Sequence, residues 1–252
     1  MGKFIDRTGE IRKSNSCGLM KIIEYNGFKD ITVKFKTGFT IKTQYNTFKQ
    51  GRLKDPLFPS VYGIGYIGIG KYTSYVNHIR SLEYNTWCNM IRRCYNPYAI
   101  NKRRTYQDIT ICKNWFNFQN FAEWFGKNYY EIPEERIELD KDLIKRDNKI
   151  YCPEFCSFVP RSINTLLVKC DESRGEYPIG VCFNKKSNKY ISQIHTNGKL
   201  KYLGQFTSSM KAFTAYKIAK EKQIKIMANK YKEYLPNQVY IYLINYEILI
   251  TD

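Results

Sequence analysis

Residues 177–206, YPIGVCFNKKSNKYISQIHTNGKLKYLGQF, decide how the C-terminal part of the chain folds. β-branched and aromatic residues collect in three runs, Ile179–Phe183, Tyr190–His195 and Lys201–Phe206. Two polar stretches separate them: Asn184–Lys189, and Thr196-Asn197-Gly198-Lys199, which has the residue choice of a tight hairpin turn. The spacing predicts three antiparallel strands. A helix is predicted to start at Ser208-Ser209, because Ala212, Ala215-Tyr216 and Ala219 recur on one helical face.

The same region carries an uneven charge. The whole chain of 252 residues has 41 Lys+Arg against 23 Asp+Glu, a formal charge of +18. From Asn184 to Lys232 there are 12 Lys and a single acid, Glu221, so this stretch alone carries +11. Such a field attracts polyanions whatever their sequence. Nucleic acid is the expected partner. An anionic membrane is the competing surface, but these lysines alternate with Tyr and Gly on short strands and do not line one amphipathic helix. No membrane association is therefore expected, and no stretch approaches about 18 uncharged apolar residues. The start, MGKFIDRTGE, lacks the apolar core of a signal peptide, so a cytoplasmic location is expected. Eight cysteines in such a compartment are expected to be reduced thiols or metal ligands and not a disulfide framework. Abundant Asn, Lys, Ile and Tyr fit an AT-rich coding sequence.

Working back toward the N-terminus, residues 18–50 alternate with the two-residue period of strands, broken at Asn26-Gly27 and Thr37-Gly38. Three short antiparallel strands are predicted, a small β module over residues 1–62. Pro56 and Pro59 close it, and the Gly-rich run from Gly63 is read as a linker over 63–78. Tyr84, Trp87, Cys88 and Ile91 then stand at helical spacing, and Asn96-Pro97 stops that helix. A polar loop over Tyr98–Arg104 and a short strand at Asp108–Cys112 come next. A second helix repeats Trp115, Phe118, Ala122 and Phe125. Strands are predicted at Ile137–Leu143 and around Ile150–Phe158, with Pro160 opening a helix through Leu167. Residues Gln238–Ile248 are apolar with no charge before Glu247, and their periodicity does not separate helix from strand. The fold class is α+β and modular.

Two resemblances sharpen this. Tyr177-Pro178-Ile179-Gly180-Val181, Lys201-Tyr202-Leu203-Gly204-Gln205-Phe206 and Ala212–Tyr216 together resemble the plant APETALA-type (ethylene-response-factor, AP2/ERF-like) DNA-binding domain, here residues 175–235. The resemblance implies a three-stranded sheet in the major groove with a helix bracing it from behind. It places DNA-facing positions on Cys182, Asn184, Lys186, Gln193, His195 and Tyr202, with Lys185, Lys189, Lys199 and Lys201 supplying charge. Where that family usually has Arg, this chain has Cys182, Asn184 and His195, so a G-rich target does not carry over. Gln and Asn pair best with adenine, which suits an AT-rich site.

The middle, residues 79–172, resembles a degenerate HNH endonuclease of the phage or mobile-element homing type. The resemblance rests on Trp87, Arg93-Cys94-Tyr95-Asn96, Ile111–Trp115, Leu139-Asp140-Lys141-Asp142, Asn148–Cys156 and Asn164. It implies a strand–strand–helix cradle around one divalent cation, Mg²⁺ or similar, held by Asp140 and Asn164. The general-base His of that family falls on Lys141, and its structuring Asn on Phe155. Lysine is protonated at neutral pH unless strongly desolvated, so Lys141 is expected at the phosphate and Asp142 is the substitute base. Arg92, Arg93 and Lys113 are expected to grip DNA backbone. The chain is thus expected to be a DNA-binding protein acting as a monomer, either a metal-dependent endonuclease or a catalytically inactive regulator or inhibitor. Residues 236–252 form the apolar end.

Three other signals carry less. Gly63–Gly68 satisfies G-x-G-x-x-G without the strand–helix–strand unit or acidic partner of a dinucleotide site. The same run resembles the two halves of a GIY-YIG nuclease, but they abut where that fold needs a hairpin between them. Cys152 and Cys156, with Cys94 and Cys112, lack zinc-knuckle spacing and a nearby His, so no structural zinc is expected. His78 is given no role.

Overall fold

The computed structural model describes residues 5–102, 107–168, 175–196 and 198–251. The chain divides into two units. One holds residues up to Lys127 together with Lys149–Cys152, the other Asn128–Asn148 and residues from Pro153 on. The stretch expected to form one nuclease-like domain, 79–172, thus contributes to both.

The first unit opens with an antiparallel sheet in sequence order: β1 (Ile11–Ser14), β2 (Gly18–Gly27), β3 (Asp30–Phe35) and β4 (Thr40–Thr43). It has four strands where the periodicity predicts three. The extra one, β1, is missed because Ile-Arg-Lys-Ser shows no apolar alternation, yet it pairs with β2 from Ile11↔Lys21 to Ser14↔Gly18. Ile31, Val33 and Phe35 point inward with Met20 and Ile22, and α1 (Tyr45–Lys49) adds Tyr45 and Phe48 to close this core.

Gly63–Gly70, expected to be a linker, is packed into the unit. The Tyr66 amide donates to the Phe116 carbonyl at 2.9 Å, and the Phe118 amide returns a bond to Tyr66 at 2.9 Å. Gln119, buried, ties the run down by donating to the carbonyls of Ile67 and Tyr72 and accepting from the Tyr72 amide. Gly65 lies so close to Trp87 that a Cβ would stand 2.8 Å from its ring. Glycine is required there for close approach and not for slack.

A short hairpin follows, β5 (Tyr75–Val76) and β6 (Ile79–Arg80), turning on Asn77 and His78 at φ of 50° and 64°. Helix α2 (Leu82–Tyr95) starts at Ser81, whose hydroxyl accepts from the Tyr84 amide, and buries Trp87, Met90, Ile91 and Cys94. Asn96 ends it and at once opens α3 (Pro97–Lys102), accepting from the Ala99 amide at 3.0 Å. Part of the expected loop is therefore helical, with Pro97 in the first turn where its missing N–H is harmless. Strand β7 (Thr110–Ile111) and a 3-10 turn, Lys113–Phe116, lead into α4 (Phe118–Asn128).

In the second unit β8 (Ile137–Asp140) pairs antiparallel with β10 (Ser157–Pro160), and α5 (Arg161–Leu166) follows. Between them β9 (Ile150–Tyr151) belongs to the first unit, parallel to β7. The C-terminal sheet is β11 (Val181–Asn184), β12 (Lys189–Thr196) and β13 (Lys199–Phe206), antiparallel in sequence order as predicted. Helix α6 (Ser209–Lys230) starts at Ser208, whose hydroxyl accepts from the Lys211 amide. The undecided apolar end is a helix, α7 (Asn237–Ile244). Leu143, Val159 and Ile163 share one core with Ile194, Phe213, Tyr216, Ile224, Val239 and Leu243, so the strand–strand–helix element and the sheet–helix element are one hydrophobic body. Among the described residues no helix is long and apolar enough to cross a membrane.

Candidate nucleic-acid interface

The two faces of the C-terminal sheet differ sharply. On β12 the buried residues are Ser192 and Ile194, at 0% and 4% exposure, which set the face packed against α6. Lys189, Ile191, Gln193 and His195 alternate onto the other face. Residues directly opposite one another across a sheet share a face. Asn184 therefore joins Lys189, Cys182 and Gln205 flank Ile191, Tyr202 stands opposite Gln193, and Leu200 opposite His195. Of the positions the sequence nominated, Cys182, Asn184, Gln193, His195 and Tyr202 come together on this open face, with Lys185 and Lys186 in the adjoining turn.

Lys199 and Lys201 do not join them. They pair with Thr196 and Ile194, so their register is that of the opposite face, although both are exposed. The cause is a β-bulge. Ser192 pairs with Gly204 and Gln193 with Tyr202, leaving Leu203 as the extra residue on β13. Gly204, at φ 139°, absorbs the distortion. Without the bulge Lys201 would alternate onto the open face in place of Tyr202.

The sheet is held from behind by a close fit. Gly180, at φ 76°, lies directly against the Tyr216 ring, with no room for a Cβ. The Gly-Val and Ala-Tyr pairs quoted from the sequence are thus two halves of one contact. Asn184 also shapes the chain locally. Its side-chain oxygen accepts from the amides of Lys186 (3.0 Å) and Ser187 (3.4 Å), closing the β11–β12 turn.

The single acid of the basic stretch is accounted for elsewhere. Glu221 binds Lys217 at 2.6 Å and accepts from the Ile248 amide at 2.9 Å. Burial pushes its carboxyl up, but the Lys217 bond, the Ile248 amide and the Lys217 and Lys225 charges hold it below the ordinary value. Lys185, Lys186 and Lys189 are exposed and make no ion pair among the described residues. Sequence reasoning missed Leu200 and Gln205, because their membership of this face depends on cross-strand register and the bulge, and it passed over Ile191, which alternation with Gln193 places there.

The nuclease-like positions look different. Asp140 ends β8, and its Oδ1 accepts from the amides of Asp142 (2.7 Å) and Leu143 (2.9 Å), closing the turn that leaves the strand. Burial pushes its carboxyl above the ordinary value despite those two amides. Lys141, expected at a scissile phosphate, is 7% exposed and turned inward. Its Nζ donates to the Asn148 carbonyl at 2.6 Å and to Asp142 Oδ1 at 2.6 Å. Asn148 donates back to the Lys141 carbonyl at 2.9 Å. The pair clamps the loop between β8 and β9. Asn164, on α5, donates to Glu138 Oε2 at 2.9 Å.

The resemblance implies Mg²⁺ here, and Mg²⁺ tolerates a shell of one or two carboxylates completed by water. The candidate donors are the Asp140 carboxylate, whose Oδ1 already accepts two backbone amides, and the Asn164 amide, whose nitrogen donates to Glu138. No group of three or more His, Cys, Asp or Glu able to hold a metal occurs among the described residues. Arg92 and Arg93 stand in the last turn of α2 and Lys113 opens the 3-10 turn, all in the first unit. Cys94, Cys152 and Cys156 are buried and Cys112 half-buried, while Cys170 lies outside the described residues. No protein family, curated protein sequence or solved structure matches the chain.

Proposed function

We propose that the chain is a double-stranded-DNA-binding protein whose C-terminal sheet enters the major groove. The observation that carries this is the register: alternation and one bulge gather Cys182, Gln193, His195 and Tyr202 on an open face beside lysines that no acid neutralises. A small β-ribbon fits the width of the major groove. Gln193 is suited to the N6/N7 edge of adenine, so an A·T-rich site is the expected target. Lys185, Lys186 and Lys189 would meet phosphates and hold register without reading sequence. The test is fluorescence anisotropy on a labelled A·T-rich duplex across about 50 to 200 mM salt, where counterion release requires a steep fall in affinity. A flat salt response overturns the reading.

Within this function the β8–β10–α5 element acts as a scaffold and not as an endonuclease centre. The observation favouring this is the Lys141–Asn148 clamp, which puts a buried lysine, held by the Asn148 carbonyl and Asp142, at the position of a general base. Plasmid incubated with Mg²⁺ or Mn²⁺ should stay intact with both wild type and Asp140→Ala. Nicking by wild type that the variant lacks would restore the endonuclease reading.

A further inference from the structure

The open face holds a feature that attraction to phosphate does not use. Leu200 is 54% exposed and Tyr202 58% exposed, and each stands directly across from a polar group, His195 and Gln193 respectively. Ile191, partly buried, sits between Cys182 and Gln205 on the same face. A surface that only meets water or a sugar–phosphate backbone gains nothing from this arrangement. Side chains directly opposite across a sheet stand about 5 Å apart. In the major groove an A·T pair presents the adenine N6/N7 edge beside the thymine 5-methyl group, and that methyl is recognised by apolar contact.

We propose that the cross-strand couple Gln193–Tyr202 reads one A·T base pair as a unit, Gln193 on adenine and the Tyr202 ring on the thymine methyl, and that Leu200 takes a second thymine methyl. The ligand is therefore methyl-bearing DNA, distinguished from the same duplex built with deoxyuridine. This rests on the DNA-binding reading and goes beyond it by assigning selectivity to apolar groups that the charge pattern does not reveal. The bulge at Leu203 is what makes the couple, because it moves Tyr202 onto the open face.

The experiment compares wild-type affinity for an A·T-rich duplex with that for the same duplex carrying deoxyuridine at every thymine. Each methyl covered is worth about fourfold in affinity, the value of one buried CH₂ group. With two methyls covered, wild type should bind the thymine duplex about fifteenfold more tightly. Tyr202→Ala and Leu200→Ala should each shrink that ratio, and both residues are exposed, so the variants leave the core untouched. Lys189→Ala should weaken both duplexes and preserve the ratio. Equal wild-type affinity for the two duplexes, with a steep salt dependence retained, overturns the methyl reading alone. A flat salt response on both duplexes overturns the DNA reading and this proposal with it.

Discussion

Two of the molecule's antiparallel sheets, the four-stranded N-terminal one and the three-stranded C-terminal one, are each covered on one side and open on the other, and their open faces have different chemistry. Across the N-terminal sheet one row runs Ile11, Lys21, Lys34, Thr40, with Lys13, Leu19, Glu24, Thr32 and Lys42 around it. Four of these are lysines on flexible stems and one is an acid, Glu24, which accepts from the Thr32 hydroxyl. The C-terminal face has an amide, an imidazole and a phenol at its centre, with lysines toward its edge and turn. Lysine attracts any phosphate, as a point charge. Planar side chains with fixed donors and acceptors tell one base edge from another. Positive charge therefore marks both faces, and only the second sets planar polar side chains at its centre.

The sharpest way to break this comparison is to remove the brace behind the C-terminal sheet. Tyr216→Ala vacates the contact with Gly180 and should cost about 3–5 kcal/mol, the range for large aromatic truncations. Thermal stability and DNA affinity should fall together. A variant that unfolds earlier yet still binds selectively would detach reading from this sheet. Next in size, Gln193→Ala should lose about 1–3 kcal/mol of discrimination at a single A·T position while affinity for random duplex changes little. Competition binding with single-site substitutions measures it, and a uniform loss would reassign Gln193 to backbone contact.

Asp140 offers a pH test. Its carboxyl is raised in the folded chain, so its contribution to stability is fully present in acid and is lost as pH rises through the raised value. Asp140→Asn keeps the acceptor for the Asp142 and Leu143 amides without the carboxylate charge. It should be more stable than wild type at neutral pH, with the advantage vanishing in acid. An advantage that does not vary with pH would place the effect elsewhere. The smallest effect belongs to the first sheet. Lys34→Gln removes one of two ammonium groups directly opposed at Lys21↔Lys34 and should stabilise by about 0.2–1 kcal/mol, leaving DNA selectivity unchanged. Loss of selectivity there would erase the distinction between the two faces.

Much of the second sheet is legible in the sequence alone. Apolar runs and polar turns locate β11, β12 and β13 to within two residues, and Ser208 marks the start of α6. Local chemistry is enough for this, because strand alternation, hairpin turns and helix caps depend on near neighbours. The Gly63–Gly70 run misleads for an instructive reason. Glycine serves both slack and tight approach, and only Trp87 lying against Gly65 identifies which. Lys141 likewise reads as a surface or phosphate-facing cation until the Asn148 carbonyl, seven residues on, is seen to accept its hydrogen bond.

The amino-acid sequence by itself determined the α+β class, the strand-and-turn rhythm of the C-terminal sheet and the concentration of +11 between Asn184 and Lys232. Tertiary structure decided which side chains share a face. The extra residue at Leu203 turns Tyr202 onto the open face and Lys201 away from it, and the loop clamp turns Lys141 inward. Both outcomes depend on partners across a strand or loop. Side-chain direction in a sheet alternates with every residue, so a single bulge reassigns every position beyond it.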